Sequence, residues 1–403
     1  MKWLVKWLVL GSVLLIVSCN NDETMDAYSE KGADVDKAFL EASAQGVEQE
    51  LKALGKTDFA LLCQSMNKRL SDFELTTNAR FVEGIVKLGQ LMHDSQLLDS
   101  YFSELMSLAF DRDYYCNSIL SQGFGVWEWN DDEMAFLKSG EHETDVVFIF
   151  PATDANDGPA AILTISDLAV YDGLFPGKGD QLLDGDVVET ALERLLFNIK
   201  VNDELILTGN VMASFTDQGY FKDVAMTFNP RPFNLIAELG KTDIWGYWVL
   251  SFNRDSELIM EQDLNLEFDT DNQQMPVSDI TNLHQTKDVY VEMSARTGVL
   301  YNELIKVEAI TEGTQAYAQA LAMALNTYAD MSVRYSANNR LIAVATAMPK
   351  LSDQEEVGWF VDLEFQFSDG SIESAEEYFD NYITDFKIEL EDLVSEFEKK
   401  FGI

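Results

Sequence analysis

The spacing of apolar residues predicts an α+β protein: an N-terminal helical region, then a large twisted antiparallel β-sheet covered by helices, the last a long C-terminal amphipathic one. Three observations carry that expectation. Up to about residue 120 apolar side chains recur every three or four positions, whereas beyond Gly123 they recur every second position, as half-buried strands require. After Ser374 the helical spacing returns and holds nearly to the end. With 47% hydrophobic and 11% aromatic residues among 403, the chain has the composition of a protein with a substantial core.

Residues 1–18 read as a secretory leader: Lys2 and Lys6 form a basic start, Trp7–Val17 is apolar, and small Ser18 stands directly before Cys19. This arrangement resembles a bacterial lipoprotein signal. The resemblance implies that the peptide is removed ahead of Cys19, that this thiol is lipidated, and that the protein meets a membrane through the lipid. A transmembrane anchor is the alternative, but the apolar run spans only about 16 Å at ~1.5 Å per residue, against a hydrocarbon core of about 30 Å.

Residues 19–36 are polar, with Asn20, Asn21, Asp22, Glu23 and Asp26 just past the cysteine, and read as an acidic flexible tether. Among lipoproteins of Bacteroidota, acids at this place resemble the signal for the outer face of the outer membrane. Two asparagines come first here, so the expected location is an outer-membrane lipoprotein, periplasmic or surface-facing, leaning to the cell surface.

The helical region, 37–120, carries three or four amphipathic stretches. Leu51 and Leu54 close one; Thr57 is placed to cap a second with Phe59, Leu62, Met66 and Leu70; Phe81, Ile85, Leu88 and Met92 continue; and Ser95 can cap Leu98, Phe102, Leu105 and Met106. A bundle and a layer over a sheet satisfy this pattern equally. Cys63 and Cys116 are the two cysteines left once Cys19 is lipidated, and they form either one disulfide or two buried thiols.

The β-rich domain, 121–403, opens with Val126–Trp129, a turn at Asn130-Asp131-Asp132, then Met134, Phe136 and Val146–Phe150. Alternation is clear at Val211, Ala213 and Phe215, at Val224, Met226 and Phe228, at Phe233–Leu239 and at Leu264, Leu266 and Phe268. Thr314 opens a helix near 315–328, strands return through Val333 and Tyr335, and Asn338-Asn339 makes a turn. The last long strand puts Val357, Trp359, Val361, Leu363, Phe365 and Phe367 on one face. Ser374 and Glu377 then form a capping-box pattern ahead of a helix near 375–400, whose stripe runs through Phe379, Tyr382, Phe386, Leu390, Leu393 and Phe397. Its polar face is acidic, which suits packing on the sheet better than lying on a membrane.

The run Gly125-Val126-Trp127-Glu128-Trp129-Asn130, the strand Asp145–Pro151, the segment Leu163–Asp167 and the ending Phe367–Phe379 together resemble lipid-anchored envelope lipoproteins of Bacteroidota. The hairpins carrying Ala213-Ser214-Phe215 and Pro232-Phe233-Asn234-Leu235 also fit. This resemblance implies the signal, helical region and large antiparallel sheet. It implies no activity, substrate or catalytic residue.

A formal charge of −42 makes nucleic acid a poor partner, because a polyanion repels phosphate backbones. His93, His142 and His284 stand apart from one another, no zinc motif or nucleophile elbow occurs, and Gly173–Gly179 departs from a phosphate loop. No catalytic residue, metal centre or cofactor is therefore expected. Asp154, Asp157, Asp184, Asp186, Asp269 and Asp271 offer weak calcium ligands, although turn chemistry accounts for them adequately. The candidate ligand-binding aromatics are Trp127, Trp129, Trp245, Tyr247 and Trp248. Trp245 and Trp248 must face opposite sides of a regular strand, so one of them is expected to leave the core. The leading functional expectation is a non-enzymatic, lipid-anchored binding or scaffold protein outside the cytoplasm. The alternatives are a carrier of a hydrophobic ligand or lipid in a curved sheet, and a glycan-binding or glycan-active surface protein.

Overall fold

A computed structural model describes residues 27–70, 85, 123–133, 135–153, 158–175, 188–215, 221–242, 245–268, 277–296, 313–352 and 358–375, with a few single positions besides. Helix α1, Ala33–Leu54, follows from a stripe of Leu40, Val47, Leu51 and Leu54 and from Asp34 and Asp36 in its positively polarised first turn. Thr57 begins α2, Asp58–Leu70, by accepting from the Ala60 amide at 3.2 Å while donating to the Leu54 carbonyl at 2.9 Å. In the same way the Thr314 hydroxyl accepts from the Tyr317 amide at 3.2 Å and opens α3, Gln315–Tyr328.

Among the described residues sixteen strands form one sheet. They are β1 Gly125–Asn130, β2 Ala135–Gly140, β3 Val146–Pro151, β4 Ala160–Phe175, β5 Val188–Val201, β6 Glu204–Phe215, β7 Phe221–Pro230 and β8 Phe233–Lys241. Then come β9 Trp245–Arg254, β10 Glu257–Phe268, β11 Val277–Thr286, β12 Val289–Ala295, β13 Ala329–Tyr335, β14 Leu341–Leu351, β15 Trp359–Phe367 and β16 Ile372–Ser374. From β3 to β16 every strand pairs antiparallel with the next in sequence. The expected antiparallel sheet thus becomes a mixed one at a single place: β1 inserts between β2 and β3 and runs parallel to β3. Short hairpins hold the meander in register, as at Asn202-Asp203, where both residues adopt the left-handed turn that matches sheet twist.

One face of this sheet is packed by helices. The C-terminal half of α1 (Val47, Leu51, Leu54) and the start of α2 (Phe59, Leu62, Cys63) join β1–β11 in a first core; Ala33 and Leu40 of α1 join α3 and β12–β15 in a second. At the join between cores, the Ser43 and Thr286 hydroxyls lie 2.9 Å apart and share a hydrogen bond. Helix α1 touches both β10 and β14, strands about 19 Å apart at ~4.8 Å strand spacing, a distance that its 22 residues span at ~1.5 Å each.

Helix α1 begins at Ala33, inside the stretch expected to be tether. No side chain caps it at Gly32, so local pattern is silent there. Tyr28 instead makes a parallel bridge to Leu341, and the buried Asp36 carboxylate accepts from the Ser29 hydroxyl at 2.6 and 2.9 Å and from the Tyr335 hydroxyl at 2.6 Å. Residues 379–403, where the C-terminal helix is expected, lie outside the described residues. Ser374, expected as its cap, ends the edge strand β16, and beyond it Ala375 and Tyr378 are buried against the second core.

Candidate functional site

The face of the sheet opposite the helices mixes polar side chains with exposed Leu196 and Met212, and the register aligns its side chains into rows. One row runs Ser214, Asp223, Gly240, Tyr247, Asn265, Thr281 and Ser294 across β6 to β12. All but glycine and tyrosine are small hydrogen-bonding side chains. The neighbouring row places Glu238, Val249, Asp263 and Leu283 on β8 to β11.

Tyr247 sits over Gly240. A Cβ built on Gly240 would lie 2.5 Å from the Tyr247 ring, so the ring covers the strand there and only glycine leaves it room. Desolvation, and then the negative fields of Asp223 and Glu238, hold the Tyr247 phenol above its ordinary pKa and therefore protonated. On the other flank the Asn265 amide donates to Asp263 at 2.8 Å. Burial raises the Asp263 carboxyl, and that hydrogen bond opposes the rise in part. Trp245, two residues from Tyr247 and on the same face, is 44% exposed.

Further along this face three amide oxygens lack a protein donor. Asn210, Asn229 and Asn234 each hold a buried side-chain carbonyl with no hydrogen-bond partner, on adjacent strands β6, β7 and β8. The Asn229 amide nitrogen does donate to Thr208 at 3.2 Å. Buried acceptors of this kind are costly, so three together call for an added donor such as an enclosed water.

The other candidate aromatics go to the core. Trp248 is buried among Leu239 and Leu264, and Trp127 and Trp129 pack against the first core, where Trp129 meets Phe136 edge-to-face at 5.3 Å. Of the pair Trp245 and Trp248, Trp245 is the ring that leaves the core. Cys63 is buried with its thiol 3.8 Å from the Ile85 carbonyl oxygen. Cys19, Cys116, Asp154, Asp157, Asp184, Asp186, Asp269 and Asp271 lie outside the described residues. Among the described residues no group of three or more His, Cys, Asp and Glu is placed to hold a metal ion. Sequence reasoning missed Gly240, Asp223, Asp263 and Asn265. An isolated glycine inside a strand was the one available signal.

His284 belongs to the opposite, helix-covered face, directly across from Gln262 and Val291. The residue as a whole is half-buried, but its imidazole faces the core and burial lowers its pKa to about 4. Between about pH 6.5, where an unfolded histidine takes a proton, and pH 4 the folded state binds fewer protons, so stability falls as pH falls. Thermal unfolding of His284→Leu should accordingly lose less of its midpoint than the native chain between pH 6.5 and 4. Parallel pH profiles would contradict this account.

No family model matches the chain, and no curated protein or solved structure matches it either.

Proposed function

We infer that this chain is a lipid-anchored cell-envelope protein that works outside the cytoplasm by binding or scaffolding, and that the open face of its sheet is the binding surface. One observation carries the reading: the helices occupy one face of the sheet, while the opposite face presents Trp245 and Tyr247. A carrier would need its concave side hollow. Phe59 and Phe228, both fully buried and 5.3 Å apart edge-to-face, instead fill the space between α2 and the sheet.

The anchor is Cys19, held by a signal that resembles lipoproteins of Bacteroidota, and the outer membrane with a surface-facing domain is the location that fits. Residues 19–27 reach at most about 30 Å, so the lipid keeps the Tyr28–Leu341 end of the sheet near the bilayer. Among the described residues no helix is long and apolar enough to cross a membrane. In this reading the C-terminal stripe extends the covering layer as a long amphipathic helix, and what supports it is the packing of Tyr378 on Phe365 and Phe367.

Labelling with palmitate tests the anchor. The native chain should take up label and fractionate with membranes, and Cys19→Ala or globomycin should abolish both. Unchanged labelling and partitioning in Cys19→Ala would overturn the reading, and protease shaving of intact cells reports which side the domain faces.

A further inference from the structure

We propose that the open sheet face around Tyr247 binds a neutral, hydroxyl-rich glycan, a ligand class that rests on the reading of this face as the binding surface. Tyr247 lies against the strand at Gly240, which leaves its outer ring face as a platform, and Trp245 adds a second ring two residues away on the same side. Successive same-face positions on a strand are about 6.6 Å apart, which lets both rings meet one extended chain. Flat aromatic rings receive the C–H faces of sugars, which are apolar while their rims are polar.

The polar groups around the platform decide what kind of sugar fits. Asp223, Glu238 and Asp263 can only accept when ionised. A chain of hydroxyls supplies donors at regular intervals. Acidic sugars are excluded, since three carboxylates on this face of a −42 protein would repel them.

Affinity electrophoresis of the full chain through gels holding starch, xylan, mannan, galactan or mixed-linkage glucan, beside pectin and heparin, tests the proposal. At least one neutral polysaccharide should slow the protein, and equally so at low and high salt, while the acidic ones should not. The Trp245→Ala/Tyr247→Ala double variant should lose at least tenfold in affinity with an unchanged unfolding midpoint. Gly240→Ala, which drives a methyl into the space of the Tyr247 ring, should lose affinity as well. Mobility unaffected by every neutral polysaccharide overturns the proposal, as does equal retardation of the double variant or binding confined to heparin or pectin. Palmitate labelling of Cys19 is scored separately, so failure of the anchor and failure of the glycan site give different results.

Discussion

Phe59→Ala should lower the unfolding free energy by about 3–5 kcal/mol, read as a shift of the urea midpoint followed by tryptophan fluorescence. Phe59 is the first large side chain of α2 and is fully buried. It meets Phe228 of β7 at 5.3 Å edge-to-face, and Phe228 in turn meets Phe197 of β5 at 6.0 Å. The chain around it leaves little room to relax: on β6, between those two strands, a Cβ built on Gly209 would lie 2.1 Å from the Phe197 ring. Truncation therefore loses both the transfer energy of the ring and the contacts around the void it leaves. A shift below about 1 kcal/mol would mean that α2 does not seat on the sheet in this way.

Asp36→Ala is the second large effect, expected at about 3 kcal/mol because two charge-assisted hydrogen bonds, each worth about 1.5–3 kcal/mol, are lost. Its carboxylate is fully buried, accepts from Ser29 and Tyr335, and sits in the first turn of α1, where the helix dipole favours a negative charge. Burial first, and then the Asp36 hydrogen bond and charge, hold the Tyr335 phenol far above its usual pKa, so it stays a donor. Lys31 closes the cluster from above, with its ammonium 3.9 Å from the centre of the Tyr335 ring. Removing the carboxylate leaves two hydroxyls without their acceptor, while Tyr335→Phe removes one donor and should cost about half as much. Equal stability of Asp36→Ala and the native chain would show that the start of α1 is held by apolar packing alone.

Much of the fold was legible in the sequence because periodicity reports burial directly. Thr57 and Thr314 open their helices as expected, and Asn338-Asn339 makes the turn between β13 and β14, with Asn339 in the left-handed region that asparagine tolerates. The early start of α1 was not legible. Gly32 offers no capping side chain, and the groups that stabilise this end, Tyr335 and Leu341, lie three hundred residues away. The parallel placement of β1 beside β3 was hidden for a related reason: Trp127 and Trp129 alternate in the same way whichever neighbour their strand takes.

The candidate site divides along the same line. By itself the sequence determined the α+β class, the change from helical to strand spacing near Gly123, the acidic charge and the opposed directions of Trp245 and Trp248, since each follows from side chains a few positions apart. Only the tertiary structure decided that Trp248 goes inward and Trp245 outward, that Tyr247 rests on Gly240, and that Asp223, Asp263 and Asn265 stand beside it. A period of two defines two faces for every strand without saying which one is buried. Register across seven strands, set by helices packing on one side of the sheet, is what turns scattered polar residues into one surface.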